Sequence, residues 1–137
     1  MLRHDHQGKP IEARKSESLP NSPSVPTSQQ LRQLLQARQA RANFFGAHLF
    51  ADPAWDILLL AYVALLERRH LLVSEVCREG AVPATVTLRW MKALEQDGWL
   101  VHRDDPLDGP RSRLELTASG KVGMERYLTL VWPSMPL

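Results

Sequence analysis

The stretch SEVCREGAVPATVTLRWMKALEQDGWLVHRDDPLDGPRSRLEL, residues 74–116, decides the fold. Ser74 stands at an N-cap position ahead of a short helix, Glu75 to Glu79, and Gly80 suits the C′ position that closes it. After Ala81 and Val82, Pro83 opens a second helix that runs to Asp97, with Gly98 as its stop. Two helices joined by a short glycine-containing turn make a helix-turn-helix. The period then changes from helical to alternating. Trp99 to Arg103 reads as a strand, Asp104 to Pro110 is turn chemistry throughout, and Arg111 to Leu116 returns as a second strand. Leu114 and Leu116 share one face of it, and Arg111, Arg113 and Glu115 share the other.

Outward from this stretch the pattern is helical on both sides. Leu31, Leu34, Leu35, Arg38, Ala42 and Phe45 recur at steps of three and four. Asp52-Pro53 reads as an N-cap followed by proline at the first helical position. Trp55, Leu58, Leu59, Tyr62, Leu65 and Leu66 then form a stripe too wide for a helix exposed on one side, which places this segment at the centre of the core. Beyond the hairpin, Thr117 caps a last helix carrying Val122, Met124, Tyr127, Leu128 and Val131, ended by Pro133 and Pro136. The order helix, helix, helix-turn-helix, hairpin, helix describes a mainly α winged helix-turn-helix with a small β-hairpin wing. The expected organisation is a disordered tail over 1–28, one domain over 29–132 and a short tail over 133–137. Within the domain, 29–50 and 118–132 are terminal helices and 53–117 is the helix-turn-helix with its wing. Residues 1–28 hold four prolines, five serines and no aromatic residue, too little apolar surface to offset the entropy of ordering.

Composition narrows the function. A chain of 137 residues, 44% of them apolar, supports one domain with a core. The longest apolar run, Ile57 to Leu66, is about half of what a membrane helix needs. No charged segment leads into an apolar one at the N-terminus, so no secretory signal is expected. The single cysteine, Cys77, excludes an internal disulfide and the usual cysteine-based zinc cages. Cytoplasm is the expected compartment. Phosphate loops, nucleophile elbows, HExxH and useful Cys/His pairings are all missing, which points away from an enzyme and gives no reason to expect a cofactor. His4 and His6 lie in the tail and read as incidental. The net charge of +2 conceals a division, with +4 over residues 1–48 and −2 over the remainder. Any basic surface must therefore be local.

The sequence resembles the MarR family of winged-helix transcription regulators over roughly residues 30–131. Three segments carry the likeness. Val82 to Trp90, followed by Leu94 to Leu100, is similar to the family's recognition helix and its exit into the wing. Asp105-Pro106-Leu107-Asp108 is similar to the start of the wing loop. Leu116-Thr117-x-x-Gly120 is similar to the strand-to-helix ending. The resemblance implies a homodimer built from the terminal helices, and surplus apolar stripes on those helices point the same way. Two recognition helices would then read a near-palindromic double-stranded DNA operator. The family's wing arginine falls where this chain has Pro110, leaving Arg111 or Arg113 to take its place.

At about 100° per residue, Thr87, Trp90, Met91 and Leu94 fall on one side of the second helix of the motif, expected to face the core. Thr85, Arg89, Lys92 and Gln96 fall opposite, with Leu88 at the margin. Arginine can grip guanine O6 and N7, glutamine can do the same for adenine, and a methyl can meet thymine, so this face suits a major groove. It would equally suit a solvated helix. Lys92 is better placed for phosphate than for a base. Arg111 and Arg113 would reach the minor groove or flanking phosphates. Phe44, Phe45, Phe50, Trp55, Tyr62 and Trp99 give an aromatic-rich middle that reads as core. The resemblance adds a small aromatic effector between terminal helices and winged core, where His48 and His70 could also serve. Cys77 reads as a small buried hydrophobe and not as a redox sensor. The competing function is a winged helix that serves as a protein-interaction or assembly module and has lost DNA binding. Pro110 and the −2 charge of residues 49–137 favour it.

Overall fold

The computed structural model describes residues 25–104 and 111–134. The chain enters helix α1 (Ser28–Phe45) through a capping box. The Thr27 side chain accepts from the Gln30 N–H, and the Gln30 side chain accepts from that of Thr27, satisfying two donors that a helix start leaves open. Gly46, at φ 108°, interrupts the helix, and one further turn, α2 (Ala47–Phe50), follows. Asp52 caps α3 (Pro53–Leu66) by accepting from the Trp55 N–H.

Strand β1 (Leu71–Leu72) leads directly into α4 (Val73–Glu79). Ser74 is not the cap expected from sequence. The Glu75 carboxylate turns back to accept from the Leu72 N–H at 2.8 Å, so the helix starts two residues earlier. Gly80 ends α4 with an extended backbone, at φ −73°, and not in the left-handed conformation of a C′ glycine. Its value is space, because a Cβ there would lie 3.2 Å from Thr87 Oγ1. Next come α5 (Ala84–Gln96), β2 (Leu100–Arg103), β3 (Arg113–Leu116) and α6 (Ala118–Val131), followed by a 3-10 turn at Trp132–Ser134.

The sheet has three antiparallel strands in the order β1-β3-β2, with Leu71 opposite Leu114 and His102 opposite Leu114 on the other side. Sequence alone leads one to expect only the β2–β3 hairpin. A two-residue strand carries no alternation from which to recognise it.

Helix α3 buries Ile57, Leu59, Leu60, Ala61, Tyr62, Val63 and Ala64 around its whole circumference. Leu31 and Leu35 from α1, Val76 from α4, Met91 from α5, Leu71, Leu100 and Leu114 from the sheet, and Met124 and Leu128 from α6 complete the core. Each large side chain so enclosed contributes about 2 kcal/mol relative to exposure. Trp55 meets Tyr127 edge-on at 5.3 Å, fastening α6 to the start of α3. Leu65 and Leu66, assigned to the same stripe from sequence, are exposed where α3 runs past the packed layer.

Most of the apolar stripe of α1 is spent within the protomer, because Leu31, Leu35 and Ala42 are buried, while Phe45 at its end is exposed. Polar contacts reinforce the packing. Arg32 binds Glu67 in bidentate fashion at 2.8 and 2.7 Å. Arg38 reaches Asp56 at 2.6 Å and Asp52 at 3.6 Å. Gln39 donates to the Glu79 carbonyl at the end of α4. Helix α1 is thereby tied to both ends of α3 and to the first helix of the helix-turn-helix. Burial pushes the Asp56 carboxyl up, against the opposing pull of Arg38. Hydrogen bonds from Arg32 and Arg69 hold Glu67 down at about 2.

Glu67→Gln is expected to lower stability by about 1 kcal/mol at neutral pH, the scale of a partly exposed pair screened by solvent. A carboxyl near 4.5 unfolded and about 2 folded stabilises above its unfolded value and loses that contribution as pH falls toward 2. Urea midpoints of parent and variant should therefore converge on acidification. A difference that stays constant with pH would remove this ion pair as its cause.

Candidate nucleic-acid interface

Helix α5 divides cleanly into a packed face and an open one. Thr87 and Met91 are buried, Leu94 is half-buried, and Thr85, Leu88, Arg89, Lys92 and Gln96 are exposed. The five residues singled out from sequence thus share one exposed arc. Among the described residues, neither Arg89 nor Lys92 has an ion-pair or hydrogen-bond partner. Trp90 departs from expectation. It is 43% exposed, because it lies one helical step of about 100° from Met91, on the flank of the packed stripe.

The exit from α5 is built for a fixed turn. Gly98 adopts φ 88°, and the Gly98 and Trp99 N–H groups donate back to the Glu95 and Leu94 carbonyls in the manner of a glycine-terminated helix. The Thr117 hydroxyl donates to the Gly98 carbonyl at 2.7 Å and accepts from the Gly120 N–H at 3.0 Å. One side chain therefore caps α6 and pins it to the turn after α5. Gly120 is required by close approach, since a Cβ there would lie 2.3 Å from the Trp99 carbonyl oxygen. The Trp99 indole donates to Asp97 at 2.8 Å and stands against Gly123.

The wing root is cross-braced. Arg103 pairs with Glu115 at 2.9 Å and Ser112 donates to Asp104 at 2.7 Å. His102 lies 3.6 Å from Glu95, joining β2 to the back of α5. Arg111 is exposed where the chain re-enters the sheet. Arg113 is partly covered, and its Nη1 lies 3.1 Å from Nε2 of His70, so the two arginines do not stand alike in solvent. Asp105, Pro106, Leu107, Asp108 and Pro110 lie outside the described residues, as do His4 and His6.

The aromatic residues do not converge. Tyr62 is in the core and Trp55 leans on Tyr127, but Phe44, Phe45, Phe50 and Trp99 are exposed, Phe44 to 82%. Phe45 and Phe50 pair at 5.7 Å across Gly46. Between α1, α3, α4 and the turn before α5 lies a cavity of about 20 Å3 lined by Leu35, Asp56, Leu60, Val76 and Thr87, room for one water molecule and not for an organic ligand. Burial pushes the Cys77 thiol up, the opposite of what a reactive cysteine needs. No helix among the described residues is long and apolar enough to cross a membrane.

Thr87, 2% exposed, carries a hydroxyl with no hydrogen-bond partner. Thr87→Val keeps the shape and removes the unsatisfied group, so it is expected to raise stability by about 1 kcal/mol in urea unfolding. Destabilisation would show that the hydroxyl finds a partner in solution, the adjacent cavity being large enough to supply a water.

These elements define a winged helix-turn-helix with α1 and α6 packed across α3. A crystal structure of a cysteine-to-serine mutant of MarR from E. coli superposes with TM-score 0.51 and 18% identity, covering 81% of this chain and 79% of that one. The chain therefore has the fold of MarR. Heme-free PefR (TM-score 0.44, 16% identity, 77% of this chain and 93% of that) and the transcriptional regulator Tm0710 from Thermotoga maritima (0.45, 20%, 77% and 74%) are similar at a lower level. No protein-family profile and no curated protein sequence matches the chain.

Proposed function

We propose that the chain is a sequence-specific, double-stranded DNA-binding transcriptional regulator acting as a homodimer. The observation that carries this reading is the open arc of α5. Thr85, Leu88, Arg89, Lys92 and Gln96 stand together in solvent, on a helix whose other face is fixed in the core. Arg89 reads a guanine edge, Thr85 and Leu88 present methyl groups to thymine, and Lys92 holds phosphate. Arg111, exposed where the chain re-enters the sheet, is the better placed wing contact, because Arg113 is partly covered. The exposed Leu88 and Trp90 favour a second reading, in which this helix docks a protein partner through apolar contact.

Fluorescence anisotropy of a labelled mixed-sequence duplex, titrated with the full chain at several salt concentrations, separates the two. Under the DNA reading binding weakens steeply with salt, and Lys92→Ala, which removes one phosphate contact from each protomer of the dimer, reduces the log–log slope by about 1.8. On a selected operator, Arg89→Ala costs about 1–3 kcal/mol per half-site and relaxes discrimination at one base position in each half-site. Absence of binding at low salt would end the DNA reading and leave the protein-docking one.

A second copy is placed against the apolar surface that the protomer leaves open. It comprises Phe44, Phe45, Leu49 and Phe50 at the junction of α1 and α2, and Val122, Tyr127 and Leu130 on α6, Leu130 being 76% exposed. A two-fold arrangement sets two α5 helices about one DNA turn apart, on a near-palindromic operator. An aromatic effector between terminal helices and core needs the partner's surface as its other wall, since the cavity between α1, α3, α4 and the turn before α5 is too small. Sedimentation equilibrium of Phe44→Glu combined with Leu130→Glu is expected to show dimerisation weakened by about tenfold or more. An unchanged association constant would place the interface elsewhere.

A further inference from the structure

His102, on β2 at the wing root, stands between two carboxylates. Its Nδ1 lies 3.6 Å from Glu95 Oε2 on α5, and its Nε2 lies 3.8 Å from Asp104 Oδ1 at the end of β2. Asp104 is anchored in turn, because Ser112 donates to that same oxygen at 2.7 Å. The Ser112 carbonyl accepts from the Val73 N–H at 3.0 Å, at the start of α4. The imidazole is thus the middle link of a chain that runs from α5 across the wing root to the first helix of the helix-turn-helix.

The chemistry of that link is one-sided. A neutral imidazole has one N–H and one bare nitrogen, whereas a carboxylate only accepts. With a carboxylate beside each nitrogen, the neutral ring serves one and turns a lone pair on the other. The imidazolium has two donors and a positive charge, and suits both. Only the protonated ring completes the chain, and histidine changes charge between about pH 5 and 8.

The other neighbours leave this balance in place. On β3, Leu114 lies directly opposite His102, and Ser112 is the diagonal neighbour. Arg103, Arg113 and Glu115 belong to the other face of the sheet, where Arg103 and Glu115 pair with each other. On α5, Lys92 stands three residues before Glu95 and is the cation on that side. The two carboxylates differ in weight. Asp104 is 79% exposed and screened by water, and Glu95 is 28% exposed, so Glu95 is the stronger partner.

We propose that His102 is a positioning residue for the wing, a proton-operated clasp that ties β2 to α5 when the ring carries both protons and releases it when one leaves. With the clasp closed, the wing root is fixed against the helix that bears the open arc, and DNA is held more tightly. The effect on DNA rests on the DNA reading, and the clasp itself does not.

Two measurements on the full-length chain keep these apart. Without DNA, amide exchange of β2 and β3, corrected for the intrinsic rate at each pH, is followed in the parent, His102→Gln, Glu95→Gln and the double variant. The expected result is a coupling between the two side chains of about threefold in protection at pH 5.5, the scale of a partly exposed pair, and none at pH 8. No coupling at pH 5.5, or the same coupling at both pH values, would overturn the clasp. With a labelled mixed-sequence duplex at fixed salt, the parent should gain about threefold in affinity per protomer from pH 8 to pH 5.5, beyond any gain in His102→Gln. Glu95→Gln should lose most of that gain. A gain that survives in Glu95→Gln would come from the charge of the ring alone and would also overturn the proposal. Coupling in the free chain with no DNA binding at either pH would uphold the clasp and end the DNA reading.

Discussion

Eight successive residues of α3, Ile57 to Ala64, include seven that are fully buried, and only Leu58 is partly open. A helix with no polar face cannot stand at a surface, so the rest of the chain is constrained to surround it. Helix α1 covers one side with Leu31 and Leu35, α5 another with Met91, β1 and β3 a third with Leu71 and Leu114, and α6 the last with Met124 and Leu128. The polar ties from Arg32, Arg38 and Gln39 then fix the angle at which α1 crosses, a specification that apolar contact alone would leave loose.

The same constraint delivers the open face of α5. Thr87, Met91 and Leu94 must face α3, and a helix of 3.6 residues per turn then has no choice but to turn Thr85, Arg89, Lys92 and Gln96 outward. The path of the chain beyond α5 is equally determined. Gly98 makes a turn that residues with a Cβ resist, Gly120 admits the Trp99 carbonyl, and Thr117 bonds to both segments. The open face of α5, the wing root and the start of α6 are therefore held as one unit, with Gly98, Thr117 and Gly120 setting their mutual geometry.

Much of this was legible in the residues. The helix-turn-helix, the Asp52-Pro53 start, the Thr117 cap and the exposed arc of α5 each rest on local chemistry that a linear sequence displays. Other features depend on partners distant in sequence. Strand β1 exists only because Leu71 and Leu72 pair with β3, some forty residues on. Ser74 lost the cap to Glu75 because a longer carboxylate could reach back to Leu72. Gly80 looked like a left-handed cap and is instead a space for Thr87. Phe44, Phe45 and Phe50 suggested a core by their type, yet among the described residues no element covers them once α1 has spent Leu31 and Leu35 on α3. His102 carried no motif, and only the fold sets it between Glu95 and Asp104.

Charge shows why net values mislead in a chain like this one. Residues 49–137 sum to −2, which on its face opposes binding of a polyanion. Yet many of the carboxylates in that span are already committed: Asp52 and Asp56 to Arg38, Glu67 to Arg32 and Arg69, Glu75 to Arg69, Glu115 to Arg103. They neutralise cations that hold α1 and the sheet in place. On α5, Glu95 turns toward His102 on β2, away from the open arc. What an approaching phosphate meets is set by the charges left over near it, because interactions beyond a Debye length of about 8–10 Å are screened at ordinary salt. On the exposed arc of α5 those are Arg89 and Lys92. In the proposed dimer, two copies of such an arc meet one duplex and together present a basic surface that the composition of a single chain conceals.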